Sequence, residues 1–265
     1  MMGTVQILSV SSLKGGVGKT SVTMGLASAA LQQGVRTLVV DLDPHADSTT
    51  GLAVKRGSGT EAGALLRDAK RATLSEHVVR SGWVDLLPEE QQSTAKLDVI
   101  VGSALSATFD RPDIRPRDMR RLRTLLERVS GYDLVLVDCP PSLAGLTRIG
   151  WAASNGVLLV AEPSLFSVAG TERTMRAIRM FSNEYAPQLK SAGVVVNRAR
   201  ADSTEHEYRL LEMERLYKDK LMLPVLEENP FWQQIQGAAY PVHHWPGDQV
   251  RDLAKSFDQL LKQLL

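Results

Sequence analysis

A glycine-rich segment that ends in lysine and hydroxyl side chains follows the first apolar run of the chain, Val5–Val10. The segment reads Lys14-Gly15-Gly16-Val17-Gly18-Lys19-Thr20-Ser21. Glycines let a backbone turn tightly and bring its amide N–H groups against phosphate oxygens, and a helix N-terminus adds to the attraction. Lys19 can then reach the β- and γ-phosphates of a nucleotide, and the Thr20 hydroxyl can ligate Mg²⁺. A glycine-rich turn with a chance Gly-Lys-Thr is the alternative, and the strand–loop–helix context disfavours it.

Carboxylates follow two further apolar runs, Thr37–Asp41 and Tyr132–Asp138. The second run closes with four apolar residues and Asp138. This is the pattern of a buried strand whose last side chain faces a nucleotide, so Asp138 is the predicted partner of Mg²⁺. Asp41 and Asp43 close the other run, where carboxylates beside a phosphate loop hold the waters of Mg²⁺ or orient an attacking water. The alternative for Asp41 and Asp43 is a turn in which aspartates cap the local backbone.

The elements that must position these side chains are short β-branched runs that alternate with longer helical segments. The predicted strands are Val5–Val10, Thr37–Asp41, Tyr132–Asp138, Gly156–Ala161 and Gly193–Asn197. The predicted helices are Lys19–Gln33, Arg117–Val129, Leu143–Ala153, Val168–Tyr185, Thr204–Lys218 and Gln249–Leu264. Such alternation implies right-handed crossovers and ligands beyond the carboxyl ends of the strands. We therefore predict an α/β fold of the P-loop NTPase class, a doubly wound, mostly parallel sheet with helices on both faces.

The region Thr50–Arg117 carries the weakest pattern. It offers a helix at Glu61–Ala69 and two short strands near Val84–Leu87 and Leu97–Val101. We interpret it as an elaboration of the same domain, so residues 1–265 are expected to form a single domain.

Composition sets limits on partners and compartment. The 265 residues are 43% apolar and 23% charged, which favours a sizeable core over disorder. Lys plus Arg number 31 and Asp plus Glu number 30, so any DNA binding must come from a local patch. The single cysteine, Cys139, excludes an internal disulfide framework and fits a reducing compartment. Met1–Val10 is unlike a signal peptide, and no apolar run approaches the length of about 18 to 20 residues that spans a bilayer, so we expect a cytoplasmic protein.

The string Lys14–Thr20 resembles the deviant phosphate loop of the ParA/MinD family of ATPases. The general phosphate-loop pattern has glycine where this chain has Leu13, and Lys14 follows as an additional lysine. In that family, the additional lysine reaches across a dimer interface to the phosphates bound by the other subunit, and the resemblance implies this role for Lys14. A solvated loop lysine is the alternative.

Two later strings resemble the same family. Asp41–Thr50 resembles its motif Asp-x-Asp-Pro-Gln-Gly-Asn-Ala-Thr, with His45-Ala46-Asp47 in place of Gln-Gly-Asn. The match implies that Asp43 positions the hydrolytic water and belongs with Thr20 and Asp138 to the residues of the Mg²⁺ site, and that Asp41 contacts Mg²⁺ through water. Asp138–Leu143 resembles the Asp-x-Pro-Pro-Ser stretch of the second switch.

The base side of the site is implied by two further matches. Asn197 stands where the family has an asparagine that contacts adenine, and a turn asparagine is the alternative. Leu223-Pro224-Val225 resembles the later loop that flanks the base, which adds Pro224 to the predicted nucleotide contacts.

The resemblance implies an ATPase that uses ATP and Mg²⁺, forms a homodimer on ATP binding, and positions or segregates DNA. Its dimer would bind non-specific DNA, and a ParB-like partner would stimulate hydrolysis, with Lys14, Lys19 and Asp43 as catalytic groups. One alternative is a MinD-like ATPase that positions a membrane-associated or protein cargo. A metabolic ATP-dependent enzyme on the same fold is another. The altered His45-Ala46-Asp47 also keeps open a module that holds ATP with negligible hydrolysis.

Two arginine-rich segments and the C-terminal helix do not decide whether the cargo is DNA or a membrane. Arg117, Arg120, Arg121 and Arg128 are predicted to share one side of a helix, which would be a DNA-binding face or an ordinary solvated surface. The Arg173, Arg176 and Arg179 stripe carries the same two interpretations. We expect the apolar side of Gln249–Leu264 to pack on the body of the protein rather than on a membrane.

Overall fold

Seven strands among the described residues pair into one sheet. The structure, a computed structural model, describes residues 5–55, 57 and 59–265, so the part of the signal-peptide prediction that rests on residues 1–4 lies outside it. The strands are β1 (Gln6–Ser11), β2 (Thr37–Asp41), β3 (Val79–Arg80), β4 (Leu97–Ile100), β5 (Leu134–Asp138), β6 (Gly156–Ala161) and β7 (Lys190–Val196). Their order is β3-β4-β2-β5-β1-β6-β7, and the neighbouring pairs are parallel except β3–β4.

This order gathers the predicted site at one edge of the sheet. The pairing of β2 with β5 sets Asp41 opposite Asp138, and the pairing of β1 with β5 sets Val10 opposite Asp138. The phosphate loop begins directly after β1. The loop and the acidic strand ends therefore meet beyond the carboxyl ends of the strands, where ligands bind in such folds.

Helices cover both faces of the sheet. They are α1 (Lys19–Gln32), α2 (Asp47–Gly51), α3 (Ala62–Arg67), α4 (Glu89–Gln92), α5 (Pro116–Met119), α6 (Arg121–Leu126), α7 (Gly145–Ala153), α8 (Leu165–Tyr185), α9 (Thr204–Tyr217), α10 (Trp232–Gly237) and α11 (Arg251–Leu264). On one face, α1 and α11 pack with side chains such as Val10 and Leu136. On the other, α3, α6 and α7 pack with Val135 and Val137, and α8 and α9 cover β6 and β7. The predicted doubly wound α/β fold is confirmed, and the single domain over residues 1–265 stays a prediction.

The C-terminal helix α11 packs on α1, as predicted. Its buried residues are Ala254, Phe257, Leu260, Leu261 and Leu264. The Phe257 ring fills the space over Gly25, where an added Cβ would lie 2.1 Å from the ring. The apolar side of α11 is therefore covered by the protein itself. Within residues 5–55, 57 and 59–265, every helix is too short or too polar to cross a bilayer.

The predicted strand near Val84–Leu87 is wrong. Residues Gly82–Leu86 form a 3₁₀ helix, and the edge strand β3 lies just before it. Ser81 starts this helix because its side chain accepts a hydrogen bond from the Trp83 N–H. The buried Trp83 indole donates to the Ala239 carbonyl oxygen at 2.7 Å, across 156 residues of chain. A distant packing contact thus overrides the local apolar pattern of Val84, Leu86 and Leu87.

The predicted helix Arg117–Val129 is also wrong in its continuity. It is divided into α5 and α6 at Arg120, whose ψ of 0° ends the first helix. The Arg121 guanidinium donates to the carbonyl oxygens of Leu66 at 2.8 Å and Arg67 at 3.0 Å, which fixes the start of α6 against α3. The arginines of this stretch therefore do not share one continuous helix face.

Candidate functional site

The phosphate loop joins β1 to α1 through two left-handed glycines. Gly16 has a φ of 80° and Gly18 a φ of 88°, values that favour glycine strongly. Gly18 stands at the N-cap of α1, so the first amide groups of that helix are available to an anion. The Ser12 hydroxyl accepts from the Lys14 N–H at 3.2 Å and donates to the Lys14 carbonyl oxygen at 3.0 Å. These two hydrogen bonds fix the turn at residues 12–14, which we call the loop crest. Lys19 is only 7% exposed at the start of α1.

Asp138 joins the phosphate loop to the segment after β2. Its Oδ2 accepts hydrogen bonds from the Thr20 hydroxyl at 2.9 Å and from the Ser48 hydroxyl. Burial raises the pKa of Asp138 to about 6, against the hydrogen bonds from Ser48 and Thr20 and the charge of Lys19, which lower it. Asp138 therefore holds the first turns of α1 and α2 together at the bottom of the site.

The other oxygen of this carboxylate is where a cation fits. Among the described residues, Asp138 Oδ1 is buried and has no hydrogen-bond partner. A buried carboxylate oxygen without a partner is costly, and a hydrated cation satisfies it. Mg²⁺ at a phosphate site takes one or two protein ligands beside waters and phosphates. Thr20 and Asp138 fit that requirement, although the described residues contain no cluster of three or more His, Cys, Asp or Glu side chains that could hold a metal alone.

The Asp41 carboxylate forms hydrogen bonds within the protein that hold the loop after β2 in place. It is fully buried, and its Oδ2 accepts from the Thr49 N–H at 2.8 Å and the Thr49 hydroxyl at 2.7 Å. The Gly102 N–H in turn donates to the Thr49 hydroxyl at 2.9 Å. Burial and repulsion by Asp138 raise the pKa of Asp41 to about 8. The structure therefore shows Asp41 tying α2 to the ends of β2 and β4.

Asp43 lies half-buried at the start of this loop. Its Oδ1 accepts from the His45 N–H at 3.0 Å, so the carboxylate also orders the turn before α2. Its N–H donates to Asp41 Oδ1 at 3.2 Å, and its negative charge raises the pKa values of Asp41 and Asp138. The structure brings Asp43 to the edge of the site that holds Lys19 and Asp138.

Lys14 points away from the buried part of the loop. Its Nζ forms an ion pair with Glu162 Oε2 at 2.8 Å, and its side chain is 38% exposed. The guanidinium of Arg198 lies 3.4 Å from Glu162 Oε1 and donates to the Gly16 carbonyl oxygen at 2.7 Å. Glu162 thus connects Lys14 of the phosphate loop to Arg198, the residue that follows Asn197.

Asn197 and a neighbouring cavity occupy the base side. Asn197 Nδ2 donates to the Val17 carbonyl oxygen at 2.9 Å and leaves no room for a Cβ on Gly18. Beside it lies a cavity of about 460 Å³. Its wall includes Ser21, Asn197, Pro230, Trp232 and Gln236.

The predicted base contact Pro224 lies outside this cavity, and two residues that were not predicted, Trp232 and Gln236, line it. Pro224 is not among the residues that line the cavity, whereas Pro230 is. Gln236 Nε2 donates to the Ser21 hydroxyl at 3.1 Å, which ties α10 to the phosphate loop. The Trp232 indole N–H is buried without a partner among the described residues.

Sequence reasoning missed three charged or polar members of the site, which are Ser48, Glu162 and Arg198. A signal for Glu162 was present, because it directly follows the predicted strand Gly156–Ala161. The rule that ligands bind beyond strand ends applies there as it does at Asp138. Ser48 and Arg198 offered no comparable signal, since their contacts depend on the fold of the loops after β2 and β7.

Comparisons with known proteins place these features in a family. The family model described as "AAA domain" matches residues 5–191. Chromosome partitioning protein ParA of Caulobacter vibrioides is 31% identical over 85% of this chain and 81% of its own length. Sporulation initiation inhibitor protein Soj of Bacillus subtilis is 24% identical over 84% of this chain and 85% of its own length.

Solved structures show the same fold. Apo McdA of Cyanothece superposes with a TM-score of 0.78 at 19% identity and covers 99% of this chain and 100% of its own. MinD of Pyrococcus horikoshii, complexed with Mg-ADP, has a TM-score of 0.72 at 20% identity, over 98% of this chain and 96% of its own. Cobyrinic acid a,c-diamide synthase of Mycobacterium smegmatis, with bound ADP and magnesium, has a TM-score of 0.72 at 23% identity, over 89% and 93%.

Proposed function

The chain belongs to the ParA/MinD family of P-loop ATPases, and from this premise we propose that it is a dimerising ATPase that positions or segregates DNA. The observation that carries the proposal is the contrast between the two loop lysines. Lys19 is buried beside Asp138 and serves the nucleotide of its own chain. The Lys14 side chain is 38% exposed at the loop crest, where a second subunit can reach it. The relatives named ParA and Soj support a role in partitioning.

ATP and Mg²⁺ are the proposed cofactors, since the loop and Asp138 offer what both require. The N–H groups of Gly15 to Ser21 surround the phosphates, and Lys19 offsets their charge. Thr20 and Asp138 would hold Mg²⁺, which supplies further charge neutralisation when bound. Asn197 is the proposed contact to the base. Pro224 is the proposed flanking residue, from outside the cavity beside Asn197.

Asp43 is the proposed group for orienting the attacking water. The carboxylate can accept a hydrogen bond from that water, which aligns it for attack on the terminal phosphate. Asp41 acts indirectly, because its bonds to Thr49 fix the loop that carries Asp43. Ser48 ties the same loop to Asp138, so the position of Asp43 depends on the metal side of the site.

The proposed cycle uses ATP as a dimerisation switch. Two chains enclose two nucleotides, and each Lys14 crosses to the phosphates of the other site, where it offsets charge on the transferring phosphoryl group. The ATP dimer binds non-specific DNA. A ParB-like partner stimulates hydrolysis, which separates the chains and releases the DNA.

A membrane-associated alternative is less well supported by the structure. The apolar side of α11 is buried against α1, so this helix offers no free apolar face to lipid. The likeness to a metabolic synthase is a likeness of fold and adds no substrate site to this chain.

The test measures binding of random-sequence duplex DNA with ATP, with ADP and without nucleotide, for the wild type and for Lys14→Ala. We expect binding and dimer formation only with ATP, and loss of both in the variant. ATP-dependent dimers that bind no DNA would contradict the partitioning role. An ATP-bound monomer that binds DNA as well as the wild type does would contradict the switch.

A further inference from the structure

A basic surface lies on the side of the molecule covered by α3, α5 and α6. Two adjoining cavities there, of about 430 Å³ and 250 Å³, share Arg117, Asp118 and Arg121 in their walls. We call the two cavities together the basic cleft. Seven cations and three carboxylates line it, although the whole chain has a net charge of only +1. The cleft therefore concentrates positive charge that composition alone does not show.

The cleft joins two segments that are distant in the sequence. Its solvent-facing cations are Arg67, Lys70, Arg71, Arg111, Arg115 and Arg117. The first three come from the end of α3 and the turn after it. Arg111 and Arg115 come from the segment that leads into α5, and Arg117 lies in α5 itself. Because the fold brings both segments together, the surface is wider than the basic stretch of the sequence predicted.

Most of these cations are not neutralised by the protein. Arg121 and Asp118 pair with each other at 2.6 Å and form the floor of the cleft. Arg117 is 72% exposed and lies 3.9 Å from Asp118, a weak contact. In the part of the chain that the structure describes, the other five solvent-facing cations form no ion pair. They remain available to an anionic ligand.

The cleft is connected to the segment that follows Asp138. The Asp110 carboxylate accepts from the Leu146 N–H at 3.1 Å and from the Ser142 hydroxyl at 3.4 Å. Gly145 packs so closely on Phe109 that an added Cβ would lie 1.9 Å from its carbonyl oxygen.

A third contact continues this connection toward the cleft. The Arg148 guanidinium donates to the Pro112 carbonyl oxygen at 3.0 Å. These contacts join residues 109–112, which include Arg111, to the segment that follows Asp138.

We propose that the basic cleft binds the phosphates of duplex DNA and that Asp110 couples this surface to the nucleotide site. The proposal rests on the proposed function. Cations spread over two cavities match a ligand with several phosphates along its length, and flexible arginine and lysine side chains suit sequence-independent contacts. Asp110 is a positioning residue, since it holds the 109–112 backbone against the segment that begins at Asp138.

The first experiment compares two variants that each remove two charges. Arg67→Ala with Arg117→Ala neutralises the cleft. Lys190→Ala with Lys220→Ala removes two charges from another basic cavity, lined by Arg179, Lys190 and Lys220, and is the matched control. Binding of ATP-loaded full-length protein to a random-sequence duplex is measured by fluorescence anisotropy over a range of salt concentrations.

We expect the cleft variant to lose about tenfold in affinity and to have a log–log salt slope smaller by about 2, as two lost phosphate contacts require. The control should bind within about threefold of the wild type. ATP-dependent dimerisation should persist in both, which shows that they fold. Wild-type binding by the cleft variant would overturn the inference and leave the proposed function standing. A wild type that binds no DNA with ATP would overturn both.

The coupling has its own test in Asp110→Ala, with Asp113→Ala as the control on the same segment. We expect the ratio of DNA affinities with ATP and with ADP to fall by about fivefold or more in Asp110→Ala, since an allosteric coupling is lost. The ratio should be unchanged in the control. An unchanged ratio in Asp110→Ala, with ATP-dependent dimerisation intact, would show that Asp110 does not carry the coupling.

Discussion

Lys19 and Lys14 belong to the same loop and meet opposite environments. Lys19 is 7% exposed and its charge lowers the pKa of Asp138, whereas the Lys14 side chain is 38% exposed and pairs with Glu162. We call Lys19, Thr20, Ser48 and Asp138 the inner region. A buried charge is costly unless it has a counter-charge, so the inner region suits a charged ligand that remains bound. The Lys14–Glu162 pair is partly open to solvent, which weakens it. The loop crest thus suits a lysine that changes partners.

The largest expected effect comes from the inner region. Lys19→Ala should lower kcat for ATP hydrolysis by about 10²–10³-fold, because the charge of the transferring phosphoryl group loses a positioned cation. Phosphate release measures it, with the exposed Lys262→Ala as the control for removal of a lysine. Comparable activity in Lys19→Ala and the control would show that Lys19 does not act on the transferring phosphoryl group, and the contrast with Lys14 would fail.

Lys14→Ala should separate nucleotide binding from dimer formation. Its side chain contacts Glu162 and not the inner region, so ATP binding by the monomer should stay within about threefold, since a surface ion pair contributes little. Dimer formation with ATP should be lost. Nucleotide titration and analytical ultracentrifugation on the same samples give both values. A large loss of ATP affinity in the Lys14→Ala monomer would show that Lys14 acts on the nucleotide of its own chain.

The buried carboxylates make stability depend on pH. The pKa of Asp41 is raised to about 8 and that of Asp138 to about 6, from 3.8, by burial first in each case. At pH values between 3.8 and the raised pKa of each carboxyl group, the folded chain binds more protons than the unfolded chain. The nucleotide-free protein should therefore lose stability as pH rises from about 4 to 8.

Asp41→Asn should reduce this dependence. We expect the wild-type Tm to fall by about 4 °C or more between pH 5 and pH 8, and the variant to fall less. Asp47→Asn is the control, because Asp47 is an exposed carboxylate on the segment that follows the same strand. Thermal denaturation without nucleotide measures both slopes. Equal slopes in the wild type and Asp41→Asn would show that the Asp41 carboxylate is ionised in the folded chain.

The inner region was largely predictable from sequence because buried parallel strands leave a simple pattern. The run Leu134–Asp138 is apolar until its last residue, and only that residue faces the site, so the strand can be recognised without tertiary information. The glycines before Lys19 likewise mark backbone that must take a positive φ. Loop, strand end and fold class therefore follow from local rules.

The loop crest was less predictable because its contacts join distant segments. The Lys14–Glu162 pair spans 148 residues, and nothing near either residue indicates the other. The 3₁₀ helix at Gly82–Leu86 was mistaken for a strand for the same reason, since it depends on the packing of Trp83. Periodicity reports which face of an element is buried, and it does not report which side chains meet across loops.

The smallest expected effect is the most specific to the crest. Glu162 holds Lys14 in its own chain, so Lys14 must leave this carboxylate before it reaches a second nucleotide. Glu162→Gln weakens the pair without changing the shape of the side chain. The ATP concentration for half-maximal dimerisation should fall by up to about fivefold, the value of an exposed ion pair. The shift should shrink at high salt, because salt screens exposed charges.

The control for this last variant is Glu172→Gln, which removes an exposed carboxylate from α8 and should leave the ATP midpoint unchanged. Analytical ultracentrifugation across an ATP titration, at low and at high salt, measures the midpoints. An increased ATP requirement in Glu162→Gln would mean that the carboxylate supports the dimer itself. In that case, Glu162 would belong with the fixed inner region, and the contrast between the two lysines would lie in Lys14 alone.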